Sequence, residues 1–233
     1  MSVKKICAGM LLTGSVVASG LAVAEDNAAF VNEMDKVSYA IGVQYGKGFK
    51  RDLKEVNIDQ LSAGFKDGFN GGELKMNEQE IAQTLSAFEQ KKVQAMKQER
   101  EKMASKNLAA GQEFLKKNGS ADGFKTTDSG LQYKVVEKGS GKMPTLTDRV
   151  QVHYTGRLIN GTVFDSSVQR GVPAEFPVNG VIKGWTEALQ MMEEGAKWQL
   201  AIPSDLAYGE NGTRGGIGPN EVLLFDVELI AIQ

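Results

Sequence analysis

The sequence predicts an α+β protein, helices first and a largely antiparallel sheet second. Proline placement is the first sign. Pro144, Pro173, Pro177, Pro203 and Pro219 all lie in the C-terminal part, while the first half contains none and suits helix. Hydrophobic period is the second. Met34, Val37, Ile41, Tyr45 and Phe49 recur at helical spacing, whereas Val150, Val152 and Tyr154 alternate with Gln151, His153 and Thr155 as in a strand.

The chain has 233 residues, 41% hydrophobic and 24% charged, with room for one or two domains. A net charge of −2 and the lack of a long basic run give no reason to expect nucleic acid or anionic membrane as a partner. Residues 1–24 read as an export signal. Lys4 and Lys5 precede an apolar core from Ile6 to about Val17, and Ala22-Val23-Ala24 forms a small-x-small cleavage site before Glu25-Asp26-Asn27. A membrane anchor is the competing reading, disfavoured by a short stretch rich in Gly, Ala, Ser and Thr. The single cysteine, Cys7, lies inside this signal, so the cleaved chain would have neither disulfide nor thiol chemistry.

Residues 25–76 are expected to form a helical dimerisation region. One helix runs from Asn32 to about Phe49 and a second from about Ile58 to Phe69, ending at Gly71-Gly72. Gly42 and Gly46, one turn apart, imply close approach of another backbone. Two such short helices bury too little to stand alone, which leaves self-association or packing onto the chain's own C-terminal domain. Residues 77–119 are expected to form one long connecting helix, opened by the capping-box pattern Asn77-Glu-Gln-Glu80 and uninterrupted to Asn118-Gly119. Its early stripe of Ile81, Leu85, Phe88 and Met96 gives way to a polar run, Lys97 to Asn107, that reads as a solvent-exposed rigid arm. Gly111 is a candidate weak point, and Phe114 and Leu115 are candidates to dock its end.

Residues 120–233 are expected to be a β-rich domain. Its strands include Leu131–Glu137, a hairpin turning at Asn160-Gly161, a short strand near 175–178, Lys197–Ile202 and an alternating last strand through Phe225, Val227 and Leu229. A two-turn helix spans Thr186 to Met192. The hairpin brings Phe164 and Asp165 beside Tyr154. With one histidine and no cysteine after cleavage, most zinc sites, Ser/His/Asp triads and Cys/His dyads are excluded. His153, on the face opposite Tyr154, is expected to be solvated. Gly139-Ser-Gly-Lys142 lacks the upstream glycine and Ser/Thr of a phosphate loop, so neither a cofactor nor a metal is expected. What remains is an apolar, aromatic recess.

The segments VHYTG (152–156), GTVFDSS (161–167), VIKGWTEAL (181–189), AYG (207–209) and LLFDVELI (223–230) carry a resemblance. In this order and spacing they are similar to an FKBP-type peptidyl-prolyl cis-trans isomerase domain over roughly residues 125–233. The whole layout resembles the macrophage infectivity potentiator (Mip)/FkpA group of exported bacterial proteins. The resemblance implies a sheet wrapped on a short helix, isomerase activity without covalent chemistry, and a V-shaped homodimer joined through intertwined N-terminal helices. It makes Trp185 the pocket floor and Tyr154, Phe164, Phe176, Val181, Ile182, Ile217 and Phe225 its walls. Asp165, Tyr208 and the Ile182 N–H become the polar groups that orient the peptide. Ala174, where an aromatic often lines the rim, and Thr213 with Gly216 depart from the family pattern. Implied partners are proline-containing unfolded or exported polypeptides and inhibitors of the FK506/rapamycin type, in the periplasm, the outer membrane or at the cell surface. The competing roles are a dimeric holdase chaperone or a surface virulence factor in which isomerisation is secondary.

Overall fold

The structure is a computed structural model that describes residues 30–53 and 55–233; the expected export signal lies outside them. The chain divides into two compact units, the first ending at Asn77 and the second running from Glu78 to Gln233.

The first unit holds α1 (Glu33–Asp52) and α2 (Ile58–Asn70). Asn32 caps α1 in a full capping box with Asp35, Asn57 caps α2, and Gly71 ends α2 in the left-handed conformation that glycine adopts without steric cost. Neither helix contains a buried residue. Met34, Ile41, Tyr45, Phe65 and Phe69 are all more than half exposed.

The second unit begins with α3 (Glu78–Gly119), which is unbroken over 42 residues. Then follow β1 (Phe124–Thr126), β2 (Gln132–Glu137), β3 (Arg149–Leu158), β4 (Val163–Ser166), α4 (Ser167–Arg170), β5 (Ala174–Pro177), α5 (Lys183–Leu189), β6 (Lys197–Ile202) and β7 (Leu223–Ile232). The strands form one antiparallel sheet in the order β1-β2-β6-β7-β3-β4, with β5 also paired to β3. Strict alternation on β3 and β7 buries Val150, Val152, Tyr154, Leu158, Phe225, Val227 and Leu229 on one face. Trp185, Ala188 and Leu189 of α5 pack into the same core, so the sheet is wrapped on one short helix. That helix runs from Lys183 to Leu189, three residues earlier than the expected Thr186 to Met192; its N-cap, Ile182, makes no side-chain cap bond, so no capping residue marks the start in the sequence.

Two expectations change. Gly111 is not a weak point: it is the buried residue of α3, and a Cβ there would come within 2.7 Å of Val222 Cγ2. Glycine at 111 lets the helix backbone touch the loop before β7. His153 is half-buried rather than solvated, with Nδ1 3.1 Å from Ser167 Oγ, which also accepts the Tyr154 N–H at 2.8 Å. As expected, Phe114 and Leu115 are half-buried, and the Leu115 carbonyl accepts a 2.8 Å bond from Gln132.

Candidate active site

Trp185 is the hub of an aromatic cluster on the inner face of the sheet. It is 4% exposed and meets three rings edge-on: Tyr154 at 5.3 Å, Phe225 at 5.3 Å and Phe176 at 5.9 Å between centroids, with interplanar angles of 87°, 80° and 82°. Phe164 joins through Phe225 at 5.6 Å and 88°. Edge-to-face pairs set the positive edge of one ring on the negative face of another, contributing about 0.5–1.5 kcal/mol each beyond their burial. Register makes this possible: β3 lies beside β7, with Tyr154 opposite Val227 and Gly156 opposite Phe225. Gly156 is essential to it. A Cβ at that position would lie 2.6 Å from Phe164 and 2.8 Å from Phe225, so only glycine leaves room for both rings.

Burial falls from floor to rim. Trp185, Tyr154, Phe225 and Ile217 are buried; Phe164, Phe176, Val181 and Ile182 are half-buried; Tyr208 is 42% exposed. Tyr208 stands apart from the ring cluster, just before the loop that carries Ile217. The Ile182 carbonyl accepts the N–H groups of Trp185 and Thr186, while no acceptor among the described residues meets the Ile182 N–H or the Tyr208 hydroxyl. Trp185 Nε1 is likewise buried without an acceptor. Ala174 pairs with Val152 at the edge of the core, adding no ring to the rim.

Asp165 is held from two sides. Its Oδ2 accepts from the Tyr154 hydroxyl and its Oδ1 from Arg170, while Arg170 Nη2 donates to the Tyr154 oxygen at 3.2 Å. The Arg170 guanidinium also lies 5.8 Å from the centre of the Tyr154 ring. Burial alone would raise the Asp165 pKa, but the hydrogen bonds from Tyr154 and Arg170 and the guanidinium charge outweigh it and hold the carboxyl below its ordinary value. Burial, and then the bond to Asp165, push the Tyr154 hydroxyl above its ordinary value. Asp165 is therefore an ionised acceptor and Tyr154 a neutral donor. Neither is poised to move a proton at neutral pH.

Arg170 was absent from the residues singled out in the sequence. Its signal is local: Ser166 caps α4 by accepting the Gln169 N–H, and Gly171 ends it in the left-handed conformation. That single helical turn aims position 170 back at Asp165.

Comparison with known proteins identifies the family. Residues 140–230 match the family described as FKBP-type peptidyl-prolyl cis-trans isomerase, and residues 34–135 match the domain amino-terminal to it. The chain is similar to the outer membrane protein MIP of Legionella longbeachae, with 41% identity over 100% of this chain and 99% of that one. It is similar to the peptidyl-prolyl cis-trans isomerase Mip of Coxiella burnetii, with 48% identity over 86% and 87% of the two chains. The crystal structure of FkpA from Escherichia coli superposes with a TM-score of 0.72 and 43% identity, covering 88% of this chain and 99% of that one. The chain belongs to the FKBP-type peptidyl-prolyl cis-trans isomerases, in the group that contains Mip and FkpA.

Proposed function

We propose that the recess floored by Trp185 receives the ring of a substrate proline and lowers the barrier to rotation about the preceding peptide bond. That barrier is about 18–20 kcal/mol because twisting breaks amide resonance, and uncatalysed exchange takes about 10–100 s at 25 °C. The planar amide is the more polar form, stabilised by water. Walls of Tyr154, Phe164, Phe176, Val181, Ile182, Ile217 and Phe225 exclude that water, and the shape of the ring cluster on Trp185 favours the twisted form. The Ile182 N–H and the Tyr208 hydroxyl, unpaired among the described residues, are donors suited to the peptide's carbonyls. Asp165, ionised and anchored by Arg170, suits a peptide N–H or fixes the Tyr154 ring. The observation that carries this reading is the edge-on packing of three rings around a buried tryptophan beneath a half-buried rim. In a protease-coupled assay on a proline tetrapeptide, the Asp165→Leu protein is expected to lose most turnover and the Tyr208→Phe protein to be measurably slower; unchanged rates in both would remove the pocket assignment.

The proposed substrates are unfolded, exported polypeptides containing proline, and macrolides of the FK506/rapamycin type are proposed to compete for the recess. Residues 1–24 are proposed to direct export, and no helix among the described residues is long and apolar enough to cross a membrane. The exposed apolar faces of α1 and α2 support a homodimer formed through these helices, which would cover Phe65 and Phe69, exposed by 71% and 81%. The same faces favour a second reading, a chaperone that holds clients between two pockets. Residues 78–233 alone should then keep tetrapeptide turnover but protect an aggregating client poorly. Equal protection would remove any chaperone role for the N-terminal helices.

A further inference from the structure

The loop between β6 and β7 carries Ile217 and follows directly on Tyr208. It has few hydrogen bonds of its own. Gly212 donates to the Tyr208 carbonyl at 3.2 Å, Thr213 donates to Ile217 at 2.8 Å, and Asn220 donates to Gly209 at 2.9 Å. The Thr213 hydroxyl adds two long bonds of 3.3 Å from the Gly215 and Ile217 N–H groups. Gly209, Gly212, Gly216 and Asn220 all have positive φ. A segment so rich in glycine and so poor in internal bonds has a large conformational entropy to lose, and its position depends on what holds its ends.

The long helix α3 holds both ends. Arg100, Ala104, Asn107 and Gly111 fall on one stripe of that helix, at spacings of four, three and four residues. At the near end, Arg100 Nη2 donates to the carbonyl of Glu210 at 3.1 Å, to the carbonyl of Asn211 at 3.0 Å and to Asn211 Oδ1 at 3.1 Å. At the far end, Asn107 Nδ2 donates to the Pro219 carbonyl at 2.8 Å, and Asn220 Nδ2 reaches the Ala104 carbonyl at 3.4 Å. Gly111 then seats against Val222. The bonded carbonyls bracket Ile217, which the loop tucks into the core with 6% exposure.

We infer that Arg100 and Asn107 are positioning residues of the isomerase site: the long helix fixes the loop that bears Ile217 and flanks Tyr208, and so sets how tightly a peptide is held. Neither side chain lines the recess, and the inference rests on the pocket reading above. On that reading Ile217 is a wall that grips the planar and the twisted peptide alike. Its placement therefore acts on ground state and transition state together, which appears in KM and leaves kcat in place.

The test uses the full chain and measures kcat and KM on one proline tetrapeptide. Arg100→Ala and Asn107→Ala are each expected to raise KM about 3- to 10-fold, as loss of one or two hydrogen bonds implies, with kcat within about twofold of the parent. Arg100→Lys should recover most of the loss, because an ammonium carries N–H donors for the same oxygens, whereas Arg100→Met should not. A thermal unfolding midpoint close to the parent's separates loop placement from loss of fold, since Arg100 is exposed. KM unchanged in both alanine variants, or a kcat loss as large as the change in KM, overturns the inference. Tyr208→Phe in the same series reports on the pocket alone, so a failure of the pocket reading is told apart from a failure of the helix contacts.

Discussion

Asp165 illustrates how a single charge is shaped by its neighbours. Tyr154 and Arg170 engage its two oxygens and depress its pKa, so it stays ionised throughout the neutral range. Free aspartate titrates near about 3.9. A depressed folded value means that the contribution of Asp165 to folding is present above that pH and is lost as pH falls through the folded value. Turnover is accordingly expected to be flat across neutral pH and to decline only in acid. Arg170→Ala removes one of the influences that lower this pKa. It should shift the acid limb of the pH–rate profile to higher pH, and an unmoved limb would show that Arg170 does not control the Asp165 charge. For Tyr208→Phe, loss of one hydrogen bond of about 0.5–1.5 kcal/mol corresponds to a decrease in kcat/KM of roughly 2- to 12-fold. Much of this was legible in the sequence. Alternation along residues 150–155 put Tyr154 on the inner face, and Asn160-Gly161 returned Asp165 to it. Arg170 and Ser167 were not legible, because their partners depend on how one capped helical turn after β4 is aimed. The same Ser167 contact explains why His153 is half-buried although its strand face was correctly read as the opposite one.

Among the elements, α3 departs most from what its sequence suggested. The capping pattern and the absence of breakers gave one long helix over 77–119, and the structure has it over Glu78–Gly119. The polar run within it is exposed, as read, except at Ala104 and Asn107; its hydrogen bonds to distant backbone carbonyls were not legible, because they leave no periodic apolar trace. Arg100 and Asn107 look like solvated residues in the sequence and bond the loop before β7 in the structure. Gly111 looked like a flaw for a similar reason, since a helix glycine costs about 1 kcal/mol relative to alanine and its compensating contact lies over a hundred residues away. Gly111→Ala gains that propensity but forces a methyl against Val222, a β-branched side chain with little freedom to turn away. Overpacking of about 1–3 kcal/mol outweighs the gain, so the variant should unfold at a lower temperature than the parent. The double variant Gly111→Ala/Val222→Ala should show favourable coupling between the two changes, because the smaller side chain restores the space. Strictly additive effects would mean that the helix backbone does not press on Val222.

In the whole molecule, each unit carries its own kind of apolar surface. The rings around Trp185 are gathered in the second unit as a recess, while α1 and α2 leave their apolar residues exposed. The first arrangement suits a small cyclic side chain and the second suits another copy of the chain. Sedimentation of the chain lacking residues 1–24 should therefore give a dimer at micromolar concentration, and a clean monomer would end that proposal. The fold class was readable because proline placement and hydrophobic period both change between the helical and sheet-forming parts of the chain. The proposed assembly rests on an apolar surplus on two helices too short to stand alone, which carries no information on its geometry. The isomerase reading is tested most directly by proline-tetrapeptide turnover of the full chain, with and without an FK506-type inhibitor. It predicts catalysed exchange that the inhibitor suppresses and that Asp165→Leu largely removes; exchange at the uncatalysed rate, or activity indifferent to both inhibitor and substitution, would refute it.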